Sequence, residues 1–131
     1  ASVTQPGEAA GVLASAGTIA TGLYQQALER QGRRALAPSE ANQQGVTAAI
    51  AAVKAGDTSK AATALALPAA AELVERGARV LLAACTELPL IIAPDDVTVR
   101  LIDPTNVLAQ AAVRRALAAE HEEASAHVLP A

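Results

Sequence analysis

The one cysteine of the chain, Cys85, stands in the run Ala83-Ala84-Cys85-Thr86-Glu87-Leu88-Pro89-Leu90, directly after an unbroken apolar segment. A thiol, a hydroxyl and a carboxylate on three consecutive residues can move protons and hold a polar ligand if they face a cleft. A thiol near the positive end of a following helical turn is expected to ionise more easily than a free one. Plain packing is the competing explanation, because free cysteine is among the most buried residue types and serves as a small hydrophobe. Thr86 and Glu87 favour the cleft, since two polar side chains directly after a buried strand are hard to place elsewhere.

A second polar cluster is Ser15-Ala16-Gly17-Thr18, a strand-to-helix turn with one glycine and two hydroxyls. It can cap a helix through Ser15 or Thr18. It can also cradle a carboxylate with backbone amides and hydroxyls at a helix start. It is not a phosphate loop, because the glycine spacing and the lysine are both missing. A third cluster, Asp103-Pro104-Thr105, reads first as a helix N-cap followed by proline at the first helical position. His121 and His127 lie in a polar tail without partnering ligands, so no metal site is expected.

The rest of the chain must position these clusters. With 131 residues, 52% of them apolar, it is long enough for one domain with a real core. It has no Phe, Trp or Met, and Tyr24 is the only aromatic, while roughly a quarter of the residues are Ala. Such a core is built from Leu, Val, Ile and Ala, with close backbone approach replacing bulky side chains. The net charge of −3 gives no reason to expect nucleic acid or an acidic membrane as partner. The densest basic clusters, Arg30, Arg33 and Arg34, then Arg114 and Arg115, read as solvated helix faces.

A single cysteine excludes an internal disulfide framework and points to a reducing, cytoplasmic setting. No apolar run approaches the roughly 18–20 residues that span a bilayer, and no signal peptide is visible. The sequence opens at Ala1-Ser2-Val3 without Met, which suggests a cut or processed chain.

Apolar runs alternate with helix-period segments, the pattern of a parallel sheet wrapped by helices. Strands are expected at Gly11–Ala14, Ala35–Ala37, Val80–Ala84 and Val99–Ile102. Helices are expected over about Thr21–Gln31, Asn42–Ala55 and from the cap Asp57-Thr58-Ser59 to about Arg76, the last kinked or split by Pro68. Leu88–Ile92 is a short apolar segment before a Pro94-Asp95-Asp96 turn. A final helix should open at Asp103-Pro104-Thr105 and bury Val107, Leu108, Ala111, Ala112 and Leu117. The expectation is therefore an α/β domain over 1–119, with a four-stranded, parallel, doubly wound sheet of flavodoxin-like order, and a frayed acidic tail over 120–131. Ligands of such sheets bind beyond the carboxyl ends of the strands, where all three polar clusters fall.

Taken together, Gly11-Val12-Leu13-Ala14-Ser15-Ala16-Gly17-Thr18, Gly22-Leu23-Tyr24-Gln25, Cys85-Thr86-Glu87-Leu88-Pro89-Leu90 and Ile102-Asp103-Pro104-Thr105 resemble the second half of the aspartate/glutamate racemase family. The match runs in order from about Gly11 to Leu117. Glu87 stands where the glutamate-specific branch carries His, so the resemblance is to the aspartate or broad-specificity branch. It implies a cofactor-independent racemase in which two pseudo-symmetric α/β domains enclose the substrate and each supplies one thiol to the α-carbon. Cys85 would be one of these two acid/bases. Ser15, Gly17, Thr18 and Thr86 would bind the substrate, an amino acid or dicarboxylate, and Glu87 would orient its ammonium group or the thiol.

Three departures accompany the resemblance. The first half, with its own cysteine, is absent, so the partner is expected to be that missing half or a second copy of the chain. Ala84 replaces the glycine that commonly precedes this cysteine, and Ser15 replaces a threonine. The final helix, 105–119, would normally pack on the first half. Two other functions remain open on the sequence: a single-thiol, decarboxylase-like relative that protonates a carbanion on one face, and a non-catalytic domain that binds carboxylates or another protein.

Overall fold

The segment Ala9–Leu13 carries no polar side chain and is buried from end to end, as a strand covered on both faces requires. The structure, a computed structural model, describes residues 8–104. The expected helix 105–119, the tail 120–131, His121 and His127 lie outside the described residues. Within them β1 (Ala9–Leu13), β2 (Arg34–Leu36), β3 (Ala78–Ala83) and β4 (Arg100–Ile102) form one parallel sheet in the order β2-β1-β3-β4. This is the α/β sheet that the alternating pattern predicts. The chain leaves β1 toward β2 on one side and returns as β3 on the other, so the order reverses between β1 and β3.

Side chains of the central strands divide between two apolar layers. Leu13, Leu81 and Ala83 join one layer with Val46, Ile50, Ala66 and Leu73. Ala10, Val12, Val80, Leu82, Ala84 and Ile102 join the other with Leu28, and Ile19 and Tyr24 pack at its margin. Ala78 and Val80 face opposite layers because the register against β1 slips at Arg79.

The first layer is covered by α3 (Glu40–Lys54) and α4 (Lys60–Glu75), two helices that run antiparallel. Glu72, near the end of α4, accepts hydrogen bonds from the Ser39 N–H at 3.0 Å, the Ser39 hydroxyl at 2.9 Å and the Asn42 amide at 2.8 Å. It also pairs with Arg76 at 2.7 Å. Chiefly the Asn42 amide and the Ser39 N–H hold its carboxyl at about 2, below the usual carboxylate range. Further along, Gly45 lies against the Leu65 carbonyl so closely that a Cβ would overlap it. Gly11 allows the same closeness between α4 and the sheet, where a Cβ would come within 2.9 Å of Leu73. Backbone approach does replace bulk in this core.

Two expectations change. Pro68 does not split α4, because Ala62, Ala66, Ala69, Ala70 and Leu73 bury one face of the helix on both sides of it. The helix expected over Thr21–Gln31 is present as α2 (Leu23–Glu29), but a short helix, α1 (Ala16–Thr21), precedes it where only a turn was expected. Gly22 separates them by taking the left-handed conformation (φ 68°) that other residues rarely adopt.

The connection from β2 to β3 decides how the site is walled. Leu36, the last residue of β2, pairs with Gly11, so β2 stops short of the end of β1. α3 therefore begins beside the sheet, is level with Ala14 at Gln43, and continues past the carboxyl edge. α4 returns from there, and Thr63 in its first turns donates to the Ile91 carbonyl at 2.6 Å. No helix among the described residues is long and apolar enough to cross a membrane.

Candidate active site at the carboxyl edge of the sheet

Beyond the end of β1 the chain turns at Ser15, whose side chain caps α1 by accepting the Thr18 N–H at 3.1 Å. The Ser15 hydroxyl donates its own proton to Thr18 Oγ1 at 2.9 Å. The Ser15 proton is thus engaged, and the hydroxyl proton left over in the turn belongs to Thr18. Gly17 lies within α1, and a Cβ there would meet nothing within 4 Å. Capping and cradle are compatible here, because the cap delivers Thr18 to an open rim.

Beyond β3 the chain makes a matching turn. The Ala84 N–H donates to the Leu13 carbonyl at 2.7 Å, which keeps the two turns side by side at the point where strand order reverses. Cys85 is half-buried, and the Leu88 N–H donates to its sulfur at 3.3 Å as the short 3-10 turn Leu88–Leu90 begins. The Thr86 hydroxyl donates to Glu87 Oε2 at 2.6 Å, so its proton is committed to that carboxylate.

The expectation of an easily ionised thiol is overturned. Burial pushes the Cys85 thiol up, outweighing the Leu88 and Glu87 N–H groups that favour the thiolate. The Glu87 carboxylate raises it further, and the Lys54 ammonium at the end of α3 acts the other way. One turn of 3-10 helix offers too little positive potential to offset the desolvation of sulfur. Asp103 follows β4 on the same rim, half-buried, with Pro104 helical after it.

Two residues outside the sequence-derived set hold the turns in place. Gln43 Nε2, from α3, donates to the Ala14 carbonyl at 2.9 Å, while Thr63 ties α4 to the Ile91 carbonyl beyond the thiol. Gln43 Oε1 is buried with no hydrogen-bond partner among the described residues, a condition that costs about 1–3 kcal/mol. Its signal in the sequence is its place three residues before Val46, an amide on an otherwise apolar stripe. A groove of about 520 Å³ lies between α1 and α3, lined by Ala16, Ile19, Gln43, Gln44 and Thr47 among others. No group of three His, Cys, Asp or Glu side chains able to hold a metal ion occurs among the described residues.

Residues 1–112 match the family described as Asp/Glu/Hydantoin racemase. The chain belongs to that family. Solved structures agree on the fold. A candidate Asp/Glu racemase of Yersinia pestis superposes with a TM-score of 0.76 at 25% identity, over 84% of this chain and 49% of its own. The aspartate racemase of Picrophilus torridus gives 0.71 at 28% identity, over 83% and 45%. An aspartate racemase homologue from Pyrococcus horikoshii gives 0.64 at 21% identity, over 73% and 42%, a likeness of fold. This racemase-family chain spans about half the length of the solved relatives it matches.

Proposed function

We propose that the chain supplies one of the two thiols of a cofactor-independent amino-acid racemase of aspartate/glutamate type. The observation that carries the reading is Cys85 itself, half-buried at the β1/β3 reversal with its sulfur on the Leu88 amide. In the proposed reaction one thiolate takes the α-proton, leaving the electron pair on the α-carbon, and the opposing thiol returns a proton to the other face. One sulfur cannot reach both faces. The second is expected from a further segment or chain, either the half that the relatives' length implies or another copy of this one.

The hydrogen bonds support one orientation of the substrate. The spare proton of Thr18 suits the α-carboxylate, with Ser15 behind it and the open space at Gly17 admitting the group. Glu87 repels a carboxylate and attracts an ammonium group. An arriving ammonium would draw Glu87 away from Thr86, freeing the Thr86 hydroxyl for the carboxylate. It would also neutralise the charge that, after burial, holds the thiol up, so Cys85 becomes a better base as the substrate seats. The resting thiol, kept protonated by burial, gives a second reading its support: a single-face proton donor to a carbanion, as in a decarboxylase.

Solvent deuterium separates these readings. An enzyme reconstituted with its second half should exchange the α-proton of aspartate and scramble its configuration, and Cys85→Ser should lower both rates by about 100-fold or more. Retained exchange in Cys85→Ser overturns the assignment. Carbon dioxide release from a malonate-type acid without exchange transfers it to the second reading.

A further inference from the structure

We propose that Gln43 is a positioning residue that fixes the Ser15–Thr18 turn for its ligand through the Ala14 carbonyl. The inference deepens the racemase reading and rests on it for the nature of that ligand, a carboxylate. Strand pairing between β1 and β3 ends where the Ala84 N–H meets the Leu13 carbonyl. The next carbonyl, Ala14, accepts from Gln43 Nε2 instead. Past that bond the chain enters the cap that orients the Thr18 hydroxyl. Gln43 is the external brace at the root of the turn.

The brace is itself firmly seated. Asn42, the preceding residue, is bonded to Glu72, and Gly45, two residues on, closes against the Leu65 carbonyl. The amide orientation is dictated by its partner, because a carbonyl can only accept. That choice leaves Oε1 buried and unpartnered. An apolar side chain of the same length would fill the site without that defect, so packing alone gives no reason for an amide. What the position uses is the donor. Gln43 also lines the groove between α1 and α3, so releasing it lets the turn drift from the helical wall.

The test uses this chain, isotope-labelled, with malonate as the carboxylate probe and amide hydrogen exchange as the ligand-free readout. In Gln43→Met the Thr18 and Ile19 amides, which bond to Ser15, should exchange about tenfold faster, with Leu73 and Leu81 unchanged, and malonate should bind about tenfold more weakly. Gln43→Glu adds a signature that loss of packing cannot produce. A neutral carboxyl still donates to the Ala14 carbonyl, whereas a carboxylate repels it. The Thr18 exchange rate, taken as a ratio to wild type at each pH, should therefore start near one and rise as Glu ionises. Glu40 also lines the groove, and Gln43→Met, which adds no charge beside it, supplies the baseline ratio at each pH.

A ratio that stays near one in both variants overturns the proposal. So does an acceleration spread evenly over Leu73 and Leu81, which would make Gln43 only a packing residue. If Gln43→Met fails to fold, the pH dependence of Gln43→Glu decides alone. If the exchange pattern holds but wild type does not bind malonate, the brace stands and the carboxylate reading falls.

Discussion

The turn after β1 and the turn after β3 are built to one plan and finished differently. Each leaves its strand through an alanine, then places a short polar residue whose side chain accepts an N–H three residues on: Ser15 from Thr18 at 3.1 Å, Cys85 from Leu88 at 3.3 Å. Each is braced from the helical wall, through Gln43 to the Ala14 carbonyl and through Thr63 to the Ile91 carbonyl. The difference is one atom. Oxygen makes a strong cap and holds its proton in an ordered line to Thr18, whereas sulfur accepts weakly and keeps a titratable proton. Similar turns thus hold a structural cap on one side of the reversal and a titratable thiol on the other.

The comparison breaks most severely at what both turns share. Gly45→Ala drives a Cβ into the Leu65 carbonyl, so α3 and α4 must part, and Gln43 and Thr63 move with them. A stability loss of about 1–3 kcal/mol is expected in denaturant unfolding. An unchanged midpoint would mean that the helices do not close at that contact.

A finer cut separates the caps. Ser15→Ala should cost about 1 kcal/mol, while Cys85→Ser, which still offers an oxygen to the Leu88 N–H, should cost less. Equal losses in parallel unfolding experiments would erase the distinction between them. The smallest effect concerns charge alone. Glu87→Gln removes the carboxylate that raises the thiol, so the pH profile for alkylation of Cys85 should move to lower pH, yet stay above that of a free thiol because burial remains. Movement to higher pH would contradict the assigned sign.

Much of this was legible in the residues. The unbroken apolar run before Cys85 marks a central strand, and the small polar turns after such strands mark the carboxyl edge of a parallel sheet. The alternation of strand and helix patterns is enough for the order of elements. What escaped has physical causes. Gly22 looks tolerable inside a helix until its backbone takes the left-handed form. Pro68 looks like a breaker, but burial of the alanines around it outweighs the lost hydrogen bond. The ionisation of Cys85 is set by how deeply sulfur is buried, and the spacing of residues carries no such information. The braces from Gln43 and Thr63 join residues far apart in the chain, and a single sequence has no period that connects them.

The bond from the Leu88 N–H to the Cys85 sulfur has a practical consequence. Its strength follows the charge on sulfur, so protonation, ionisation and alkylation of the thiol each leave that amide in a different magnetic environment. The Leu88 amide proton is therefore a resident reporter. Its resonance, followed by pH titration, would read the state of the sulfur without any label on the thiol.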